Sequence, residues 1–106
     1  MKEWTQVCHL KDLIPDSGLA ALVNGQQIAL FYIDDAVYAV DNYDPIGKAY
    51  VMSRGFCGDL NGELFCASPL QKEHYSLHTG QCLDKEGVSI PVYETKIEND
   101  MVYVNI

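Results

Sequence analysis

Short apolar runs alternate along this chain with clusters of turn-forming residues: Pro15 to Gly18, Asn24-Gly25, Asp34-Asp35, Asp44-Pro45, Asn61-Gly62, Thr79-Gly80, Glu86-Gly87 and Asn99-Asp100. Breaks this frequent and regular predict many short strands and an all-β fold, a β sandwich or partly open barrel. The expected strands are Trp4 to Cys8, Leu19 to Val23, Ile28 to Ile33, Val37 to Val40, Glu63 to Ala67, His74 to Ser76, Val92 to Ile97 and Met101 to Ile106. Asn24-Gly25 joins two of them with residues that tolerate the positive φ of a tight primed turn, and Asp34-Asp35 is a weaker signal of the same kind. Val102, Val104 and Ile106 alternate with Tyr103 and Asn105, the period-two pattern of a strand with one buried face, which should pair with Val92 to Ile97. Only Lys11-Asp12-Leu13-Ile14 suggests a helical turn, and Pro15 ends it.

No linker, repeat or compositional break divides the 106 residues, so a single domain spanning 1–106 is expected. A chain of this length buries roughly 65% of its unfolded surface without help from disulfides or metals. Hydrophobic content of 48% and charged content of 21% fit a folded domain rather than a disordered one. Fifteen acidic against seven basic residues give a net charge of -8, with no basic cluster, which argues against nucleic-acid and anionic-membrane partners. Met1-Lys2-Glu3-Trp4 lacks the apolar core of an export signal, and no apolar run approaches the roughly 18 residues of a membrane span. The expected location is the cytoplasm. In that reducing compartment Cys8, Cys57, Cys66 and Cys82, which contain no Cys-x-x-Cys pair, read mainly as small core hydrophobes.

Candidate chemistry is sparse. Asp34 with Asp35, and Asp41 with Asp44, are carboxylate pairs, but they fall where turns fall. The glycines form neither a P-loop nor a dinucleotide fingerprint. His74, His78 and Cys82 are spaced by four, which would align three metal ligands on a helix; on a strand followed by a Thr-Gly turn that spacing does not converge them. Two exposed histidines and a core cysteine are expected instead.

Ala39-Val40-Asp41-Asn42-Tyr43-Asp44-Pro45-Ile46, then Met52-Ser53-Arg54-Gly55, then Ala67-Ser68-Pro69-Leu70-Gln71 resemble the two cluster-binding loops of a Rieske domain. The stretch His74 to Gly80 is similar to the aromatic strand and Thr-Gly turn that come after the second loop of such domains, and Ile90-Pro91-Val92-Tyr93-Glu94 is similar to their closing hairpin. A Rieske [2Fe-2S] site takes two thiolates and two imidazoles, from Cys-x-His in one loop and Cys-x-x-His in the other. By this alignment Asp44 and Ile46 occupy the first pair of positions, and Ser68 and Gln71 the second. Ile46 has no donor atom, and the other three offer hard oxygen groups unsuited to an iron–sulfur cluster. The interval between the loops is about four residues longer than the resemblance leads one to expect, placing an altered segment around Lys48 to Asp59.

A cluster-free Rieske-like chain with these motifs in this order closely resembles the small-subunit family of assimilatory NAD(P)H-dependent nitrite reductase, nearly from end to end. The resemblance implies an accessory, non-catalytic small subunit with no cofactor and no catalytic or metal site of its own. It would bind a large catalytic subunit that carries FAD, an iron–sulfur cluster and siroheme and passes electrons from NAD(P)H to nitrite, giving ammonium. The expected partner contacts are Tyr43, Asp44, Pro45, Ile46, Pro69, Leu70 and Gln71, because apolar loop tips call for a cover; Ile46 and Leu70 could equally fill the space a cluster vacates. The alternatives are a stand-alone Rieske-like binding module, or an electron-transfer module with unusual ligands.

Overall fold

The computed structural model of the chain describes residues 3–70 and 72–106. Eleven strands succeed one another: β1 Trp4–His9, β2 Gly18–Val23, β3 Gln26–Ile33, β4 Ala36–Asp41, β5 Tyr43–Asp44, β6 Ala49–Tyr50, β7 Phe56–Leu60, β8 Glu63–Ala67, β9 His74–Ser76, β10 Val92–Glu98 and β11 Met101–Asn105. Two single turns of 3-10 helix lie at Leu10–Asp12 and Met52–Arg54. The tight turns form where Asn, Asp and Gly are supplied. Asn24-Gly25, Asp34-Asp35, Asn61-Gly62 and Asn99-Asp100 all take positive φ at both positions, as two-residue primed turns require.

Six strands make one antiparallel sheet in the order β1-β11-β10-β4-β3-β2. Its outer strands β1 and β2 come back into contact, so the sheet nearly closes into a barrel. A second sheet, β7-β8-β9, lies against it, and β5 pairs with β6 in a short ribbon. β3 is apolar on both faces for a reason. Ile28 and Leu30 point into the barrel beside Val102 and Val104, while Ala29, Phe31 and Ile33 face the second core, with Met52, Cys66, Tyr75 and Cys82. The strand therefore reads as a continuous apolar run rather than an alternating one.

All eight expected strands are present, with bounds moved by a residue or two, and β11 pairs with β10 as the alternation implies. Ile106 lies just past β11 and is half-buried. Three strands carry no clear sequence signal. β5 and β6 are two residues long, and β7, Phe-Cys-Gly-Asp-Leu, has an interior glycine and no alternation. β6, the Met52–Arg54 turn and β7 lie in the segment where an altered connection is expected. The helical turn sits one residue before Lys11, where the Asp12 carboxylate accepts the His9 backbone N–H at 3.2 Å. Cys66 and Cys82 are buried, Cys8 and Cys57 are half-buried, and all four are free thiols.

Candidate functional site: two stitched loops

β4 ends at Asp41, whose carboxylate accepts the Tyr43 N–H at 3.2 Å and turns the chain out of the sheet. Asn42 then anchors the first loop from below. Its N–H donates to the Gln27 carbonyl (3.1 Å), its carbonyl accepts from Met52 N–H (3.0 Å), and its side-chain oxygen accepts from Ser53 N–H (2.8 Å). One buried residue, through its backbone and its side chain, thereby ties β3, the loop and the Met52–Arg54 turn together. Sequence reasoning placed Asn42 inside the loop motif but gave it no role, because its partners are 11 and 15 residues away.

The two loops are built to one plan. In the first, an Asp44 carboxylate oxygen accepts the backbone N–H of Ile46 (2.9 Å) and of Gly47 (3.0 Å), and the Asp44 carbonyl accepts from Lys48 N–H (2.7 Å). In the second, the Ser68 hydroxyl accepts from Leu70 N–H (3.2 Å) and the Ser68 carbonyl from Lys72 N–H (3.0 Å). Lys48 and Lys72, each four residues after the anchoring oxygen, both take positive φ, 57° and 62°. The loops are then joined: the Ser68 hydroxyl donates to the other carboxylate oxygen of Asp44. Asp44 and Ser68 are both 0% exposed. The buried carboxylate thus accepts three hydrogen bonds, which is how such a group is kept away from water at tolerable cost.

Tyr75 lies in the core beneath the loops, fully buried, and its hydroxyl has no hydrogen-bond partner among the described residues. Burial drives its acidity down, pushing the pKa well above the phenol range, and the nearby Asp44, Cys82, Glu73 and Cys66 push in the same direction.

The groups at the cluster positions do not fit an iron–sulfur cluster. Asp44 and Ser68 present oxygen where thiolates are needed, and both oxygens are engaged with each other and with backbone amides. Ile46 supplies no donor, and Gln71 lies outside the described residues. Among the described residues no group of three His, Cys, Asp or Glu side chains is placed to hold a metal ion. His74, His78 and Cys82 do not converge. His74 Nδ1 lies 2.8 Å from an Asp84 carboxylate oxygen, His78 packs edge-on to the Tyr38 ring at 5.5 Å, and Cys82 points into the core. His78 is exposed as expected, but His74 is half-buried because the rings of Phe65 and Phe56 flank it.

The structure places the expected contact residues differently from one another. Asp44 is wholly buried and shapes the loop from beneath, so its side chain is not on the surface of this chain. The Asp44–Ser68 bridge spans the gap between the loops, with Ile46 and Leu70 beside it. Ile46 is half-buried, while Leu70 leans over Gly47 yet stays 50% exposed. A Cβ on Gly47 would lie 2.7 Å from both Leu70 Cδ1 and an Asp44 carboxylate oxygen, so only glycine lets the loops meet this closely. Pro69 is exposed, and Tyr43 and Pro45 are half-buried. Tyr50, 54% exposed, packs at a tilt of 58° against Tyr43 with ring centroids 5.0 Å apart, and Phe56 is 49% exposed beside His74. Neither Tyr50 nor Phe56 was picked out in the sequence, since both reach this end through strands too short or irregular to be read there.

A near-closed antiparallel barrel with a three-stranded sheet carrying two matched loops defines a Rieske-type domain. The model of the Rieske-like [2Fe-2S] domain family matches residues 3–105, and the chain belongs to that family. Within it the nitrite reductase small subunits are full-length relatives. The NADH nitrite reductase small subunit of Salmonella typhimurium is 38% identical over 104 residues, 96% of each chain. The solved structure of the E. coli protein NirD superposes with a TM-score of 0.90 at 34% identity, covering 100% of this chain and 98% of that one. The NAD(P)H nitrite reductase large subunit of Klebsiella oxytoca contains a segment 37% identical to this chain, covering 97% of it but only 11% of the larger protein. The family resemblance read from the loop motifs is thus correct. No helix among the described residues is long and apolar enough to cross a membrane.

Proposed function

We propose that the chain is the cluster-free accessory subunit of a cytoplasmic NAD(P)H-dependent nitrite reductase and docks through its loop tip onto the large catalytic subunit. The observation that carries this reading is the Klebsiella oxytoca large subunit, which holds a copy of the whole domain within its own polypeptide. A domain that works when tethered to a catalytic body works beside one when separate. On this reading FAD, siroheme, the iron–sulfur cluster and the reduction of nitrite to ammonium belong to the large subunit and not to this chain.

The stitched loops suit a binding role. A cluster held by two thiolates and two imidazoles has been exchanged for a carboxylate–hydroxyl bridge that fixes both loops without metal. What is left at the surface is an apolar rim of Tyr43, Pro45, Ile46, Pro69 and Leu70, with Gln71 outside the described residues. Tyr50 extends that rim through its packing against Tyr43. Apolar side chains about half exposed at one end of a domain favour a protein partner.

Binding of the purified full chain to the large subunit, followed by titration calorimetry, tests the docking face. Leu70→Asp and Tyr50→Asp should each weaken binding about tenfold or more, as loss of a central apolar contact does, whereas Ile14→Asp, at the far end of the barrel, should leave it unchanged. The reverse pattern would move the interface off the loops. An absorption spectrum with iron and acid-labile sulfide assays on anaerobically purified protein tests the cluster-free reading; stoichiometric iron and sulfide would sink it.

A further inference from the structure

Three of the four cysteines, Cys57, Cys66 and Cys82, belong to or pack against the same core between the two sheets, and two of them face each other across a ladder. Cys57 in β7 is directly opposite Cys66 in β8. Directly opposed residues of an antiparallel pair project their side chains from the same face. The pair type is set by the neighbouring strand. Leu77 N–H donates to the Leu64 carbonyl at 2.9 Å, so that carbonyl is turned toward β9 and away from β7. Two residues on, Cys66 repeats this orientation, which makes Cys57/Cys66 a pair without ladder hydrogen bonds between them. Such pairs bring their Cα atoms to about 4.5 Å, inside the roughly 4.4–6.8 Å a disulfide spans.

We propose that Cys57 and Cys66 form an oxidisable pair that closes to a disulfide across the β7–β8 hairpin when a peroxide supplies the oxidant. Cys57, half-buried, is the thiol that meets the oxidant; Cys66, fully buried, is the one that resolves it. The Cys57 thiolate attacks one peroxide oxygen, the O–O bond breaks, water leaves, and the sulfur becomes a sulfenic acid. The Cys66 thiolate then attacks that sulfur, forming the S–S bond and expelling a second water. Two thiols lose two electrons and two protons, and one peroxide becomes two waters.

The other cysteines are excluded by position. Tyr75 stands between Cys66 and Cys82, paired with each, so those two sulfurs are two ladder steps of about 4.8 Å apart, and Cys8 packs against the other core. Burial pushes both thiols up, Cys66 to about 12 with the facing Cys57 adding to the effect. Both are therefore protonated near neutrality, and closure is slow there and faster as pH rises. The bond would sit at the root of the second loop, since β8 runs from Cys66 straight into Ser68.

The test is hydrogen peroxide treatment of the full chain at a series of rising pH values, read by intact mass, alkylation in denaturant and non-reducing peptide mapping. The expected product is monomeric, has lost two hydrogens, retains Cys8 and Cys82 as free thiols, carries a Cys57–Cys66 cross-linked peptide and reverts with dithiothreitol. Cys57→Ser should form no intramolecular disulfide. Several results would overturn the proposal: Cys57 advancing to sulfinic acid with Cys66 free, a different pairing, a covalent dimer, or no disulfide in the folded chain under conditions that produce one in the urea-unfolded chain.

Discussion

The two ends of the barrel are held by different kinds of contact. At one end the chain reverses through Asp34-Asp35 and Asn99-Asp100, where two adjacent residues at positive φ close each hairpin. Nearby, Leu10, Lys11, Pro15 and Tyr32 border an open groove of about 660 Å³. At the other end β4 leaves the sheet, and its loop is fixed by partners 11, 15 and 24 residues away: Ser53 and Gln27 on Asn42, and Ser68 on Asp44. The turn end is a set of local decisions, each nearly independent of the rest. The loop end is one network, in which the failure of a single buried acceptor strands several donors together. Where oxygen side chains stand at the cluster positions, such a network joins the two loops.

Breaking the loop network should have the largest consequence. Asp44→Ala leaves the Ile46 and Gly47 N–H groups and the Ser68 hydroxyl without their acceptor, at about 1–3 kcal/mol for each buried group left unpaired. A loss of about 3 kcal/mol or more is expected in urea unfolding, together with loss of amide protection at residues 46 and 47. An effect below about 1 kcal/mol would mean that the loops hold without the bridge. Tyr75→Phe sharpens the contrast from the opposite direction, since it removes a buried hydroxyl that has no partner among the described residues and leaves the ring in place. Stability should be unchanged or higher by up to about 1 kcal/mol; a clear loss would reveal a hidden partner for that hydroxyl.

At the turn end the effects should be smaller and confined. Asp100→Gly places glycine at a φ of 62° and converts the turn to Asn-Gly, the preferred primed-turn pair, so a gain of about 0.5 kcal/mol in unfolding free energy, seen as a higher urea midpoint, is expected. The smallest effect belongs to Asp84, which is well exposed and bonded to the His74 backbone and ring. Those bonds, the backbone N–H first, hold its carboxyl below the ordinary 3.8. A depressed carboxyl contributes stability above its unfolded pKa and loses it as pH falls through the folded value. Asp84→Asn should therefore be slightly less stable than the parent at neutral pH, with the difference shrinking as pH falls through the lowered folded value; a difference that persisted in acid would rule out the charge as its cause.

Much of this was legible in the sequence. The Asn-Gly, Asp-Asp and Asn-Asp turns, the alternation of Val102 and Val104 and the eight strands between them were read correctly because each depends on neighbours within a few residues. The loop motifs carried the family, and the oxygen side chains at positions 44 and 68 signalled that the cluster ligands were missing. Three features lay beyond reading: the β5–β6 ribbon, in which Tyr43 and Tyr50 meet; β7, paired along its length with β8; and the addition of Tyr50 and Phe56 to the end that carries the loops.

The sequence by itself determined where the chain turns, which face of each regular strand is apolar, and which atoms are offered at the former ligand positions. Those depend on φ preferences, on side-chain period and on covalent identity, all local properties. Only the tertiary structure decided that Asp44 would be buried rather than presented and that Ser68 would be its partner across 24 residues. A hydrogen bond or a cross-strand pair between distant segments is fixed when the sheets pack, by whichever polar groups are then shut away from water together, and a linear sequence does not encode that pairing in any local pattern.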